Sequence, residues 1–323
     1  MAVRQVIKRN CEEEVITCYS AFMDFIEEKE CKNLAKVSIY DYELTFRHFM
    51  TYFNFDETTP LHEINNEMFK TWTKSMLENE LKPSSINRFL RDMRAFVNWC
   101  INNALLFADV KIQMVKGQEE VVKSFPDEEL LAITQKPNDV NSFTQWRTWT
   151  VINWILATGN RAATVCEIRV NDIDFRNKEI VLRHTKNKRA QVIPLSPALE
   201  GIVKDYIRTW RHGASDDDYL FPNIANEKMN SVSLSQSFAK YCKARGCTHT
   251  NIHGLRHSFA LNWIRNGGNE FKLQKILGHS TLEMTRRYVA LATADLKADY
   301  ECFSTLDTMK KSKKPRYVIT KTI

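Results

Sequence analysis

Five short stretches of this chain carry side chains suited to chemistry on a phosphate. "TGNR" sets Arg161 just past a helix expected to end at a glycine, and "HTKNKR" sets Lys186 at a strand turn. "HGLRH" places His253 and Arg256 at i and i+3 on one helix face. Both fall in that helix's first turn, where free N–H groups and the dipole favour an anion. "LGHS" sets His279 at the start of a short helix, and "TRRY" brings in Tyr288 nine residues later. Two guanidiniums can each offer a bidentate fork to a phosphate. Two imidazoles and an ammonium can donate hydrogen bonds and move protons. A tyrosine supplies an oxygen nucleophile. No carboxylates accompany the set, so no divalent-metal cage and no cofactor is expected, and the cations must themselves neutralise a phosphoryl-transfer state. Singly, each residue has an ordinary use: Tyr288 on a surface, His253 as a satisfied ring, Arg161 as a helix-end cation. Their joint spacing carries the chemical reading.

The surrounding pattern predicts the elements that position them. The fold class expected is mainly α with a small β-sheet: a helical N-terminal domain over 1–110, a linker over 111–123 and an α/β domain over 124–323. A helical stripe of Val15, Tyr19, Phe22, Met23 and Ile26 marks a first helix over 14–29, and Phe46, Phe49, Met50 and Phe53 mark a second over 39–53. A third fits about 66–79. The fourth runs to about 103 from "KPSS", with Ser84 or Ser85 as its cap. Its Phe89, Leu90, Met93, Phe96, Val97 and Cys100 face a core. Arg88, Arg91 and Arg94 step along the opposite side, either as a solvated face or as a ridge that contacts phosphates. Beyond the linker, Asp127, Glu128 and Glu129 open a helix near Pro126, and an apolar helix runs through "WTVINWILATG". "KEIVLRHT" and "AQVIPL" read as two strands around a basic turn. Helices follow at about 197–211, 231–245, 253–266, 270–277 and 281–290, with Gly267-Gly268 as one helix stop.

Composition narrows the classes. The 323 residues carry a net charge of +7, the sign expected of a partner rich in phosphate. After Asp307 the tail holds Lys310, Lys311, Lys313, Lys314, Arg316 and Lys321 and no acid. The first residues lack a secretory h-region, and no apolar run approaches a membrane span. The expectation is a soluble, cytoplasmic protein with no membrane partner. Eight cysteines spread along such a chain read as reduced thiols. Cys242, Cys247, His249 and His253 have poor spacing for structural zinc. Asp216, Asp217 and Asp218 are adjacent acids that point different ways, a solvated loop in preference to a two-metal site.

Together the stretches resemble the catalytic signature of the tyrosine recombinase (phage integrase) family, of its simple two-domain Xer-like or mobile-element type. "TGNR" looks like that family's first-arginine box. "HGLRHSFALNWIRNGGNEFKLQKILGHSTLEMTRRY" looks like its H-x-L-R-H to L-G-H to Tyr block, and the turn lysine precedes "VIPL" at the family's usual spacing. The four N-terminal helices look like its core-binding, SAM-like domain. The resemblance implies a site-specific DNA recombinase in which Arg161 and Arg256 clamp the scissile phosphate. His253 assists proton transfer with the nucleophile, and His279 hydrogen-bonds the phosphate. Lys186 protonates the departing 5′ oxygen, with Lys188 and Arg189 as competitors for that role. Tyr288 forms a 3′-phosphotyrosine bond. It further implies a two-domain clamp on double-stranded DNA and a homotetramer on two DNA sites, with residues Ala294–Leu306 packing on a neighbour and an accessory directionality protein. Integration, excision, transposition of a mobile element and dimer resolution all fit. About fifteen residues before the first helix are too few for the extra arm-binding domain of many phage integrases. Thr164 stands where the family often has Glu, Asn160 where Leu is common, and Val289 where Thr often follows the nucleophile. Rival readings are a type IB topoisomerase and a DNA-binding regulator that has lost catalysis; the intact set of Tyr288, both arginines and both histidines argues against the second.

Overall fold

The structure, a computed structural model, describes residues 15–106, 110–117, 124–139, 141–183, 190–279, 281–292 and 304. The turn bearing Lys186, Lys188 and Arg189 and most of the C-terminal tail, with Ala294–Leu306 save Ser304, lie outside the described residues. The fold is mostly helical with one small sheet, and the chain divides into two units, Met1–Glu120 and Val121–Ile323.

In the first unit, α1 (Cys18–Cys31), α2 (Lys36–Tyr52), α3 (Asn66–Glu78) and α4 (Pro83–Asn102) surround an aromatic core. Phe22 stacks on Phe46, and the Phe96 ring meets both edge-on. The buried stripe of α1 is Cys18, Ala21, Phe22, Phe25 and Ile26, whereas Val15, Tyr19 and Met23 are exposed. Two apolar stripes overlap in this sequence. A capping box between Thr17 and Ser20 starts the helix at Cys18, and the 18-21-22-25-26 set then keeps the helical spacing of a core face. Neither Ser84 nor Ser85 caps α4. Its cap position is Lys82, held extended because Pro83 follows, and Pro83 itself takes the first helical turn.

Residues 111–117, expected to belong to a linker, run along this first unit. Ile112 is buried, and the Asn87 side chain holds Val115 by both backbone groups, at 2.9 and 2.8 Å. Arg94 donates to the Ile112 carbonyl. Arg88 is paired with Asp41 at 2.9 Å and lies over the Phe89 ring. Arg91 is exposed, its Nε donating to the carbonyl of Asn87 within α4.

The second unit is built around α6 (Phe143–Thr158), buried on nearly every side through Trp146, Trp149, Val151, Ile152, Trp154 and Ile155. Packed on it are α5 (Asp127–Thr134), α8 (Pro197–Trp210), α9 (Ser231–Lys243) and α10 (His253–Arg265), with the short α7 (Ala162–Val165) beside its end. The sheet has three antiparallel strands in sequence order, β1 (Ile173–Asp174), β2 (Glu179–Leu182) and β3 (Gln191–Pro194). Ile180 lies opposite both Ile173 and Ile193, so one apolar row faces the core. The pattern predicts β2 and β3 but not β1, since two residues carry too little alternation to register. Completing the unit, α11 (Glu270–Leu277) and α12 (Glu283–Ala292) close over α10. Among the described residues no helix is long and apolar enough to cross a membrane.

Two left-handed glycines end helices next to the candidate residues. Gly159 (φ +66°) closes α6, its N–H reaching Ile155, and Gly278 (φ +62°) closes α11. A Cβ at Gly159 would come within 2.5 Å of Phe259 and 2.6 Å of Leu277. Replacing Gly159 with Ala therefore adds a steric clash to a left-handed penalty of about 1–2 kcal/mol. Thermal unfolding of Gly159→Ala should show a loss of at least that size; an unchanged midpoint would mean that the α6 end is not packed as described.

Candidate active site

The chain brings Arg161, His253, Arg256, His279 and Tyr288 to one place through the ends of three helices and one helix face. Past Gly159, Asn160 is buried and accepts a hydrogen bond from the Trp154 indole at 2.9 Å. That bond anchors the turn, and it gives the Asn at this position a task that Leu could not perform. Arg161 follows, half-buried at the head of α7, and among the described residues its guanidinium has no hydrogen-bond or ion-pair partner.

At the start of α10 the Asn251 side chain caps the His253 N–H at 3.0 Å. His253, Arg256 and His257 share one face at i, i+3 and i+4. The His253 ring is exposed and stands edge-on to that of His257, with centroids 4.8 Å apart. Arg256 is only 3% exposed. It donates to the carbonyl of Gly159 at 2.7 Å, to that of Leu277 at 2.9 Å, and to His279 Nε2 at 2.9 Å. Three of the five N–H groups of a guanidinium are thus committed, and two remain. Burial, with Arg161 nearby, lowers its pKa to about 10.

His279 lies after Gly278 in the connection between α11 and α12, not at a helix start as the sequence suggests. Its tautomer follows from its partners. A guanidinium can only donate, so Nε2 holds the lone pair. The proton is then on Nδ1 and is donated to Thr285 Oγ1 at 2.9 Å. Burial, then Arg256 and Arg161, push its pKa down to about 4. Thr285 is fully buried on α12, and three residues on, Tyr288 is 4% exposed. The Tyr288 ring packs with Ala260, Leu273 and Leu277, and its hydroxyl lies 2.7 Å from His257 Nδ1. Burial raises the phenol's pKa, opposed by Arg256 and Arg161. For His257, burial followed by His253 and Arg256 lowers the pKa to about 4.

His257 and Thr285 are the polar contacts that the motif reading missed. The position of His257 one turn after His253 was the available signal; Thr285 had none. Lys186 falls outside the described residues. Arg88, Arg91 and Arg94 are on the first unit, described above.

Electrostatically the site is two guanidiniums and three imidazoles with no carboxylate pairing to Arg161 or Arg256 among the described residues. No group of three or more His, Cys, Asp or Glu is arranged there, or elsewhere among the described residues, to hold a metal ion. Cys242 is a buried thiol with its pKa raised to about 12, and His249 instead contacts Glu129 at 3.1 Å. The Asp216–218 loop gives its backbone carbonyls to residues 169–171.

Residues 110–295 match the model of the phage integrase family. Tyrosine recombinase XerC of Chlamydia caviae is 24% identical over 312 residues, 89% of this chain and 98% of that one. XerD of Pseudomonas aeruginosa is 26% identical over 227 residues, 68% of this chain and 76% of its own. Among solved structures, the Tn1549 transposon integrase in complex with transposon right end DNA superposes with TM-score 0.69 at 20% identity, covering 84% of this chain and 94% of that one. XerH recombinase bound to palindromic difH substrate gives TM-score 0.68 at 17% identity, covering 87% and 84%. Those two likenesses are of fold. With the family match spanning more than half its length, and including Arg161, Arg256 and Tyr288, the chain belongs to the phage integrase family.

Proposed function

We propose that this protein is a tyrosine-type site-specific DNA recombinase that cuts and rejoins duplex DNA through a 3′-phosphotyrosine intermediate. One observation carries the reading: two guanidiniums without carboxylate partners among the described residues stand beside a buried phenol. Cations withdrawn from water and lacking counter-charge favour an incoming anion, and among the described residues the phenol beside them is the one nucleophile so placed.

In the mechanism, the non-bridging oxygens of the scissile phosphate take the free donors of Arg161 and the two left on Arg256. Charge developing there is stabilised by fixed dipoles and cations in place of a metal. The arriving phosphate raises the proton affinity of His279. Once Nε2 carries a proton, His279 donates to the same phosphate. Lys186 protonates the departing 5′ oxygen, the role that Lys188 and Arg189 could also fill. The covalent bond conserves the phosphodiester energy, so rejoining to a new strand needs no ATP. Both units contact double-stranded DNA, with exposed Arg91 suited to a phosphate contact on the first. Four copies assemble on two sites, and residues 294–306 supply contacts between them; an accessory protein sets direction. Integration, excision, transposition and dimer resolution are outcomes that the choice of site and partner decides.

The direct test is to recover and sequence DNA covalently attached to the protein in cells. The attached peptide should contain Tyr288, and Tyr288→Phe should still bind the recovered sequence and form no adduct. Cleavage of that sequence should proceed in EDTA. An adduct formed by Tyr288→Phe sinks the assignment.

The two arginines should separate in their effects. Each Ala variant should lose about 10²–10³ in cleavage rate, the cost of removing one transition-state donor. Arg161→Ala should leave the melting temperature unchanged or raised, since it removes a half-buried cation with no partner among the described residues. Arg256→Ala should lose about 2–4 kcal/mol of stability, because three hydrogen bonds from a charged group go with it. Equal stability losses would show that Arg161 has a structural partner after all.

Acid should destabilise the protein through the two neutral imidazoles. The pKa values of His257 and His279, each about 4, lie below the ordinary histidine value of about 6.5. Between those values the unfolded chain binds more protons than the folded one, so stability falls as pH drops through that window. Denaturant midpoints measured from neutral pH down to about 4 should decline, and less steeply in His279→Gln.

A further inference from the structure

The hydroxyl of Tyr288 makes one hydrogen bond among the described residues, and it is with His257, which the family pattern does not assign to the reaction. With a surface 4% exposed, the phenol has little access to water as a proton acceptor. His253, to which the resemblance gives the proton-transfer role, is one turn away, and its ring makes no hydrogen bond among the described residues. Resting on the reading of Tyr288 as nucleophile, we propose that His257 is the general base that takes the phenolic proton when the strand is cut and returns it when the strand is rejoined.

The step balances. The O–H bond of Tyr288 breaks with its proton passing to His257 Nδ1, while the phenolic oxygen bonds to phosphorus. The bond from phosphorus to the 5′ oxygen breaks, and that oxygen takes a proton from the site's cationic acid, the role proposed for Lys186. Rejoining reverses every transfer. The surroundings make the base responsive. His253 and Arg256 on its own helix, Arg161 beyond α6, and His279 beyond α11 face this cluster, and no carboxylate hydrogen-bonds or ion-pairs with His257 among the described residues. Burial, and then the positive field of its neighbours, keeps the imidazole neutral at rest, so Nδ1 can hold a lone pair toward the phenol. A phosphate seated between Arg161 and Arg256 offsets that positive field, and the imidazole becomes a stronger base when the substrate is present.

The experiment uses the full chain and a nicked duplex carrying the sequence recovered from cellular adducts. A second version of this duplex has sulfur in place of the bridging 5′ oxygen. A thiol is acidic enough, with pKa about 8.5, to leave without a proton, so the sulfur version isolates activation of the nucleophile. His257→Gln keeps a hydrogen bond to the phenol but cannot accept its proton. It should bind the duplex as the wild type does and form covalent complex about 10²–10⁴-fold more slowly on both versions. Its rate should climb with pH toward the tyrosine pKa of about 10. A wild-type rate, a faster rate, or a defect that sulfur abolishes overturns the proposal, the faster rate identifying a latch that merely parks the tyrosine. Nitrogen-15 spectra of histidine-labelled wild-type protein give a measurement independent of any variant's folding. His257 must show a bare Nδ1, and a proton there overturns the assignment. Tyr288→Phe run in parallel separates the two readings: an adduct from it sinks the nucleophile, whereas normal kinetics in His257→Gln with no adduct from Tyr288→Phe sinks only the base.

Discussion

Arg256 is the constraint on which the second unit's chemistry depends. A guanidinium buried this deeply is costly unless its N–H groups are met. Here the acceptors are backbone carbonyls at the C-terminal ends of α6 and α11, together with an imidazole. Those helix ends have orphan carbonyls and a partial negative charge. One side chain on α10 therefore gathers two helix ends and satisfies them. Arg161 leaves from the first end and His279 from the second, so the same contact that seats Arg256 also sets where the other cation and the imidazole begin. The left-handed glycines, Gly159 and Gly278, turn the chain sharply enough for this to happen within two residues of each end.

From that seating the proton inventory follows without further assumption. A donor-only guanidinium dictates which nitrogen of His279 is bare, and Thr285 receives the proton on the other. Burial first, and then the positive charge of Arg256 beside them, holds both His257 and His279 neutral. At rest the site carries cationic guanidiniums, neutral rings and a protonated phenol, an arrangement that waits for negative charge.

Much of this was legible in the sequence. The glycine before Asn160 and Arg161, the i, i+3 spacing of His253 and Arg256, and the interval from His279 to Tyr288 nominated residues that do converge. The helices of both units follow from their apolar periodicity. What escaped did so for identifiable reasons. In α1 two stripes compete, and the cap at Thr17 selects between them. At α4 the serines looked like caps, but the backbone restriction of Lys82-Pro83 decides the start. β1 is too short to show alternation. Asn87 and Arg94 hold residues 111–117 by bonds to backbone, which leave no trace in hydropathy. His257 was visible beside Arg256, but its meaning depends on where α12 brings the phenol, a distance no local pattern contains.

Among the described residues, two side-chain hydrogen bonds tie α12 to the site: Thr285 to His279, and Tyr288 to His257. The first is in series with Arg256. An anion can take the two N–H groups left on Arg256, so the bond from His279 to Thr285 need not break when a ligand arrives. The last described helix is therefore held by the same imidazoles that stand beside the guanidiniums, and a change at either ring is felt at Tyr288.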